Sequence, residues 1–364
     1  MGRRAGILLA IVLAACGTSH TGAGPTGSRS ATASPKAQLL FGVLEAHPFP
    51  AGGSPAYDTV AIVGLDGIAR AKTTLTPITP PNLGELGPLL PPQAYTAAGR
   101  VYFLDGKGAV QSLATDGKVA QITTFPAPSA QREVSFSVSP DGRALMGTVT
   151  TFSSASTASV AIDVYAAAPG QAPTRLRHQQ GGPGLSFIGW DSIGPIGTDP
   201  TSYGTQGGPA SHWFGTPVRV DAHGNTIGPL GGAGCFASDV AADGTVACLE
   251  VGGSSGFVSV RDSNGRELWR SSPTNGGYLN AFISPDHQHV VAFDGGSSTS
   301  GAVILGPGGR KVPAADIFEQ GWLDNQTVVG WVPYPELGLI RMSDPTRIVD
   351  LGFKGSFVGV VRAN

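Results

Sequence analysis

The segment Thr198 to Gly215 concentrates side chains that could recognise a ligand. Its polar and aromatic residues, set among glycines, are Asp199, Tyr203, Gln206, His212, Trp213 and Phe214. Aromatic rings beside amide and carboxylate groups can stack on a sugar or grip a peptide. Long loops are also often tolerated insertions, so an inert loop is the alternative. The first five of these residues form our candidate ligand-binding set.

Cys235 and Cys248 are the two cysteines downstream of residue 16, and they flank the turn signal Asp-Gly at 243–244. In an oxidising compartment one pair allows one disulfide, with no other connectivity to resolve. A two-residue turn would pair Asp239 with Cys248, which leaves Cys235 too far for a direct bridge unless the chain curls immediately after it. The sequence therefore leaves the disulfide open.

The other reactive side chains favour structural roles. His287 and His289 are two residues apart, and such residues share a face of a strand, but His287 occupies a turn position and no third metal ligand is evident. Asp141, Asp243 and Asp286 could ring a channel as carboxylates, yet each stands in a turn signal where aspartate accepts backbone hydrogen bonds. We expect no metal site and no cofactor.

No local catalytic motif of the Ser-x-x-Lys or His-Glu-x-x-His kind occurs in the chain. A catalytic set assembled from distant segments would leave no such motif. We therefore predict a non-catalytic binding or scaffold module with no catalytic residues. The alternative is a hydrolase or lyase that cleaves a polysaccharide or a peptide.

The scaffold that must position these residues is predicted to be built from β-strands. The 54 glycines and 29 prolines are too frequent for helix interiors. From Gln38 onward, short runs rich in Val, Ile, Phe and Ala alternate with Asp-Gly, Asn-Gly and Pro-Gly turn signals. Aligning these turns gives a repeat of roughly 35 to 50 residues with four strands per unit, which is what a blade of a β-propeller requires.

Six such units account for most of the chain, and the two ends supply a seventh. The units lie near 93–126, 132–178, 184–231, 234–272, 278–313 and 316–353. Three N-terminal strands (Leu39–Ala46, Asp58–Leu65, Ala69–Leu75) and one C-terminal strand (Ser356–Arg362) would make a blade closed by both termini. We predict an all-β fold, a single seven-bladed propeller over 39–364. Six or eight blades are the alternatives, because the units near 184 and 316 are irregular.

The two ends of the predicted blades differ in the length of their connections. Turns between the first and second and the third and fourth strands are short, as at Asp66-Gly67 and Asn264-Gly265. Connections at the opposite end are long, and they include His47–Tyr57, Thr76–Pro92, Thr151–Ser159, Thr198–Gly215, Asp294–Gly301 and Pro333–Gly338. Loops held by a rigid scaffold are where binding usually resides, so we expect the ligand at this end.

Short motifs in the repeats resemble those of known propellers. Ser-Pro-Asp-Gly-Arg at 139–143 and Ser-Pro-Asp-His at 284–287 resemble the inner hairpin of TolB-like and WD-like bacterial propellers, and 258–269 looks like the outer hairpin of quinoprotein-type (YncE-type) repeats. In the latter a tryptophan packs between blades. We accordingly expect Trp190, Trp269, Trp322 and Trp331 to pack between blades. The resemblance transfers no activity.

The N-terminus has the layout of an export signal. Met-Gly-Arg-Arg precedes an apolar run from Ala5 to Leu13, too short for the roughly 20 residues that span a bilayer. Leu-Ala-Ala-Cys at 13–16 then resembles the lipobox of bacterial lipoproteins. That resemblance implies a signal peptide over 1–15 and lipid on Cys16. Residues 17–38 contain almost no large apolar residue to offset the entropy of ordering, so we predict a disordered tether over 16–38. An ordinary signal peptide with an incidental cysteine, or an uncleaved anchor, is the alternative.

These features set the expected partners and address. A charged fraction of 13% and a net charge of −2 give no field to hold a polyanion, so we expect no nucleic acid partner. We predict a monomer at the extracytoplasmic face of a bacterial membrane, held there by its lipid. Its partner would be a protein or a glycan of the cell envelope.

Overall fold

The computed structural model describes the chain between residues 39 and 362, with gaps. The described ranges are 39–47, 56–81, 93–153, 159–181, 185–198, 216–252, 255–275, 277–294, 301–315, 317–333 and 335–362. The predicted signal peptide, Cys16 and the predicted tether lie outside them. In these ranges, no helix has both the length and the apolar character that crossing a membrane requires.

The described chain is built almost wholly from β-strands, with one 3-10 turn at Pro307–Gly309. The strands are, in chain order, β1 (Leu40–Glu45), β2 (Thr59–Gly64), β3 (Ala69–Thr74), β4 (Ala94–Ala97), β5 (Arg100–Leu104), β6 (Ala109–Ala114), β7 (Val119–Thr124), β8 (Arg132–Val138), β9 (Leu145–Phe152), β10 (Ser159–Ala167), β11 (Thr174–Gln180), β12 (Ser186–Trp190), β13 (Pro195–Thr198), β14 (Val218–Val220), β15 (Thr226–Pro229), β16 (Phe236–Val240), β17 (Val246–Gly252), β18 (Ser255–Arg261), β19 (Glu267–Arg270), β20 (Thr274–Asn275), β21 (Tyr278–Ile283), β22 (Val290–Asp294), β23 (Gly301–Gly306), β24 (Arg310–Pro313), β25 (Phe318–Asp324), β26 (Thr327–Trp331), β27 (Glu336–Arg341), β28 (Asp344–Lys354) and β29 (Ser356–Val361).

The strands form seven antiparallel sheets in a ring, which is a seven-bladed β-propeller. Blade 1 is β29-β1-β2-β3, and the other blades follow in chain order as β4–β7, β8–β11, β12–β15, β16–β19, β21–β24 and β25–β28. The predicted seven blades are thus confirmed, and the alternatives of six and eight are wrong. The short strand β20, which pairs with β18 in blade 5, was not predicted.

Blade 1 closes the ring because its strands come from both ends of the propeller. The innermost strand β29 pairs antiparallel with β1, and Leu40 lies opposite Val361. On its other sides, β29 contacts β25 of blade 7 and β4 of blade 2. The predicted closure by the N- and C-terminal strands is therefore confirmed.

The hydrophobic core is divided into seven clusters, one between each pair of neighbouring blades. This follows from strand alternation, because each sheet is covered on both faces and must present apolar residues to both neighbours. In the described chain, the two clusters that flank blade 4 have six buried residues each, whereas the other five have eight to eleven. Blade 4 is therefore the most thinly packed blade.

The tryptophans pack between blades, as predicted. Trp322 is buried and its indole N–H donates to the carbonyl of Phe282 in the neighbouring blade, at 2.9 Å. Trp269 donates to the carbonyl of His287, also across a blade boundary, at 2.8 Å. Trp331 is buried between blades 7 and 1, and the partly buried Trp190 packs between blades 3 and 4.

The disulfide between Cys235 and Cys248 is present, with the two Cα atoms 4.9 Å apart. The expected pairing of Asp239 with Cys248 is wrong. Ala237 lies opposite Cys248, because the turn pairs Val240 with Val246, one residue off a two-residue turn, and a bulge between Ala237 and Asp239 shifts the register by one more. The bulge brings Cys235, which directly precedes β16, within reach of its partner.

Candidate functional site

The inner strands carry polar side chains that join one blade to the next. An inner strand has one edge without a partner in its own sheet, so its N–H groups need acceptors from elsewhere. Side chains of the preceding blade supply them, with Ser135 Oγ accepting from Phe187 (2.8 Å), Ser238 Oγ from Ala281 (2.7 Å), Asp239 Oδ2 from Ile283 (2.9 Å) and Gln320 Oε1 from Phe357 (2.6 Å). These bonds hold the inner ring together.

Glu133 departs from this pattern. It is the second residue of β8, the inner strand of blade 3, and only 3% of it is exposed. Its Oε1 accepts a hydrogen bond from Ser186 Oγ at the start of β12 in blade 4. In the described part of the chain, its Oε2 has no hydrogen-bond partner. Burial raises the pKa of this carboxyl to about 7, and the bond from Ser186 only partly offsets that effect.

The surroundings of Glu133 are polar but uncharged. Thr150 of β9 lies opposite Glu133 in the sheet, and its Oγ1 bonds to the carbonyl of Leu185. Thr198, at the end of β13, lies opposite Ser186 and is 1% exposed. Gln93, which directly precedes the inner strand of blade 2, is also buried. Neither Thr198 Oγ1 nor Gln93 Oε1 has a partner within the described ranges.

These residues mark one end of the propeller axis. Each inner strand starts where the connection from the previous blade arrives, so Gln93, Glu133 and Ser186 all lie at the end that carries the long connections. We call the four residues Gln93, Glu133, Ser186 and Thr198 the mouth cluster. Phe236 opens the inner strand of blade 5 at the same end and is 51% exposed.

Tyr95, on the inner strand of blade 2, contacts blades 3 and 4. Its ring packs edge-on against Phe136 of blade 3, with 5.1 Å between ring centroids. Its hydroxyl donates to the carbonyl of Phe187 in blade 4 at 3.0 Å. Burial raises the pKa of Tyr95, so the hydroxyl stays protonated and can keep this bond. Tyr95 therefore joins the inner strands of blades 2, 3 and 4 beside the mouth cluster.

The opposite end of the propeller carries carboxylates that are already bonded. Asp141 accepts from Ser139 Oγ and the Arg143 N–H, and Asp243 accepts from the Thr245 N–H. Asp286 likewise accepts from Ser284 Oγ and the Gln288 N–H. Their predicted role in turns is confirmed.

The predicted ligand-binding residues cannot be placed. Asp199, Tyr203, Gln206, His212 and Trp213 lie outside the described residues. Thr198, a member of the mouth cluster, is the described residue that directly precedes this segment. In the described ranges, no group of three or more His, Cys, Asp or Glu side chains could hold a metal ion.

The pKa of Glu133 predicts how stability depends on pH. Because its pKa is about 7 when folded and 4.5 in the reference state, the folded protein holds more protons between these pH values. The free energy of unfolding should therefore fall as pH rises from 4.5 to 7, by about 2 kcal/mol for this group. Burial also raises the pKa of Asp239 to about 6, so Asp239 should likewise lower the free energy of unfolding as pH rises.

Urea unfolding at pH 5 and pH 8 measures this difference. Glu133→Gln should shrink the loss of stability between the two pH values by about 2 kcal/mol. Glu336→Gln, at a half-exposed carboxylate paired with Lys354, should keep the wild-type difference. An unchanged difference in Glu133→Gln would show that Glu133 stays ionised in the folded protein.

Comparison with known proteins places the chain by fold alone. No family model and no curated protein match it. Among solved structures, a functionally unknown protein from Desulfotomaculum acetoxidans has 11% identity and a TM-score of 0.51, over 90% of this chain and 100% of that one. An oligogalacturonate lyase in complex with manganese has 9% identity and a TM-score of 0.51, over 80% and 86%.

TolB from Acinetobacter baumannii is also similar, with 18% identity and a TM-score of 0.45 over 89% of this chain. The chain spans 66% of the length of that TolB. The β-propeller fold that the resemblance to TolB-like propellers implied is the fold that the strands form. The seven sheets define the protein as a seven-bladed β-propeller, and at these identities the likeness does not define its ligand.

Proposed function

We propose that this protein is a non-catalytic binding propeller that takes a protein or an envelope glycan at its long-loop end. Lipid on Cys16 would hold it at the extracytoplasmic face of a bacterial membrane. The main support for this binding site is the mouth cluster. There, one oxygen of the buried Glu133 carboxyl has no hydrogen-bond partner in the described structure. Unpaired buried polar groups are costly, and they are kept most often where function needs them.

The contrast between the two ends of the propeller supports this choice of surface. At the short-turn end, the carboxylates of the turns accept hydrogen bonds from their own turns, as described for Asp141, Asp243 and Asp286. At the long-loop end, the mouth cluster has buried acceptors that no described residue bonds, and Phe236 exposes an aromatic ring. The exposed ring offers a ligand an apolar contact at the long-loop end.

The rival function is a hydrolase or lyase that acts on a polysaccharide or peptide. One observation favours it, because a carboxyl with a pKa of about 7 suits a general acid. A glycosidase needs a second carboxyl at a fixed separation. Asp239, whose pKa burial raises to about 6, is already engaged with the N–H groups of Val240 and Ile283. We therefore favour binding over cleavage.

Cross-linking on intact membranes, followed by purification of the full chain, tests the proposal. Replacing 200–214 by a short Gly-Ser linker should lower partner recovery at least tenfold. The control, Asp116→Ala with Lys118→Ala in an exposed turn at the other end, should leave recovery unchanged. Equal recovery from both variants would show that the long-loop end is not the binding surface.

The same preparation tests the anchor and the rival. Cys16→Ala should move the protein to the soluble fraction with unchanged thermal unfolding, because Cys16 precedes the propeller, whose first strand begins at Leu40. Retention on membranes would contradict the address. Release of cleaved oligosaccharides or peptides by the wild type, abolished in Glu133→Gln, would establish the rival function.

A further inference from the structure

The short-turn end of the propeller, opposite the long connections, exposes aliphatic side chains. Its turns between strands all lie within the described ranges. Ile68, in the turn between β2 and β3, is 55% exposed, and Ile193, in the turn between β12 and β13, is 66% exposed. Four more exposed aliphatic residues lie in these turns or at the starts of the outer strands that follow them, namely Leu65, Val119, Ile227 and Leu268. This end therefore presents apolar surface that gains free energy when it leaves water.

The six exposed side chains are spread round the short-turn end. They belong to four blades, with Leu65 and Ile68 in blade 1, Val119 in blade 2, Ile193 and Ile227 in blade 4, and Leu268 in blade 5. A site for one protein segment would gather them on one or two neighbouring blades. A broad, flat surface can meet side chains on several blades at once. The distribution therefore favours a lipid bilayer over a protein as the occupant of this end.

The charges of this end are paired within single turns. In four turns an aspartate lies beside a basic residue, namely Asp66 beside Arg70, Asp116 beside Lys118 (2.7 Å), Asp141 beside Arg143 (3.9 Å) and Asp262 beside Arg266 (3.0 Å). Exposed pairs of this kind contribute little to stability. They do leave each of these four turns without net charge. The carboxylates of these turns therefore oppose contact with a membrane surface only weakly.

The chain that precedes the propeller joins it at this same end. Inner strands run from the long-loop end to the short-turn end, and Leu40 at the start of β1 lies opposite Val361 at the end of the inner strand β29. Residues 17–39 separate Cys16 from β1, and 23 residues reach at most about 80 Å. Lipid on Cys16 would thus give the short-turn end a high effective concentration at the bilayer, so even weak contacts would be occupied.

We propose that the short-turn end docks on the lipid bilayer that anchors Cys16, with Ile68 and Ile193 entering the headgroup layer. This inference rests on the proposed function, because it needs the lipid on Cys16. Aliphatic side chains bind such an interface through the apolar area that they bury, while charged neighbours stay among the headgroups. Docking at this end leaves the long-loop end facing away from the bilayer, toward its partner.

Quenching by a lipid that carries a spin label in its headgroup measures which end faces the bilayer. The lipidated full chain, with its lipid verified by mass spectrometry, is reconstituted in phosphatidylcholine vesicles that contain this lipid. A fluorophore is attached at one of two exposed lysines of blade 2, through Lys118→Cys at the short-turn end or Lys107→Cys at the long-loop end. Cys235 and Cys248 are joined in the disulfide and do not take the label.

The two labelled proteins are matched, because each change removes one positive charge from an exposed turn of the same blade. Quenching should be roughly fivefold stronger at residue 118 than at residue 107, since only a label within the headgroup layer is quenched efficiently. Equal quenching at the two positions, or stronger quenching at residue 107, would overturn the docking.

Two double variants test whether the aliphatic side chains make the contact. Ile68→Asp with Ile193→Asp should lower quenching at residue 118 to the level seen at residue 107. Both side chains are exposed, so thermal unfolding should not change. The matched control, Val160→Asp with Val349→Asp, adds the same charges at exposed valines away from this end and should be quenched as the wild type is. Equal quenching in the two double variants would overturn the role of Ile68 and Ile193.

Lipid composition separates apolar docking from electrostatic docking. Because the four turns pair their charges, replacing part of the phosphatidylcholine by phosphatidylglycerol should leave quenching at residue 118 unchanged. Quenching that requires phosphatidylglycerol would show that charge holds this end, and it would overturn the assignment to the aliphatic side chains.

The two proposals fail in different ways. If the lipidated protein shows no quenching at residue 118 while replacement of 200–214 still lowers partner recovery, the proposed function stands and the docking is wrong. If mass spectrometry finds no lipid on Cys16, the address fails and the docking fails with it. If replacement of 200–214 leaves partner recovery unchanged while residue 118 is quenched, the docking stands and the proposed binding surface is wrong.

Discussion

Deletion of residues 356–364 is expected to abolish cooperative folding of the propeller. The deletion removes β29, the inner strand of blade 1, and leaves β1 with an unpaired edge. It also takes Phe357, Val358, Val360 and Val361 from the cores between blade 1 and its two neighbours. An open sheet edge next to exposed apolar surface favours aggregation. The truncated chain should elute as aggregate on size exclusion and lack a thermal transition.

Two point variants test the same closure without removing the strand. Val361 is 3% exposed and lies opposite Leu40, whereas its neighbour Arg362 is exposed. Val361→Asp buries an unpaired charge and should cost about 4 kcal/mol or more of unfolding free energy. Arg362→Asp should stay within about 0.5 kcal/mol of the wild type. Equal urea midpoints for the two variants would show that β29 does not close the ring.

The strand content and the blade count could be predicted because each depends on local chemistry. Runs of Val, Ile and Phe with Asp-Gly turns define hairpins, and a leftover strand at each end of the repeats implies closure. Bulges could not be predicted, because they respond to packing against the neighbouring blade. The bulge between Ala237 and Asp239 is the example that decided the disulfide.

The mouth cluster was missed for a physical reason. In β8, Glu133, Ser135 and Ser137 alternate with Val134 and Phe136, a pattern that indicates one solvated face. In the propeller that polar face packs against blade 4, and all three polar residues are buried. One sequence signal could have revealed the mouth cluster. Both faces of an inner strand pack against neighbouring blades, so a polar face on a strand predicted to be an inner one indicates buried polar residues.

The polar packing of β8 also explains why blade 4 is thin. In the described chain the two interfaces of blade 4 have six buried apolar residues each, against eight to eleven at the other five, and the interface with blade 3 also relies on the bonds of Ser135 and Ser186. A less tightly packed blade can carry a long connection with less disturbance to the ring, and the segment 199–217 is one of the two longest connections between strands, equal in length to 75–93. The mouth cluster and the most thinly packed blade therefore lie side by side in the sheet order.

Loss of the disulfide is expected to destabilise this region strongly. Cys235 and Cys248 are 1% and 0% exposed, and they are two of the six buried residues between blades 4 and 5. Gly231 packs so closely that a Cβ there would lie 2.6 Å from Cys235 Sγ. A bridge over a sequence separation of 13 contributes about 3 kcal/mol by restricting the unfolded chain.

Urea unfolding with and without reductant measures this contribution directly. The oxidised wild type should be about 3 to 4 kcal/mol more stable than Cys235→Ala with Cys248→Ala, because the double variant also loses sulfur atoms from the core. Reductant should destabilise the wild type and leave the double variant unchanged, which is the matched control. Since blade 4 has few apolar contacts of its own, we expect hydrogen exchange to rise first at β13 to β15 when the bridge is reduced. Equal stability in both redox states would show that the packing of Leu230 and Ile196 against blade 5 is sufficient without the bridge.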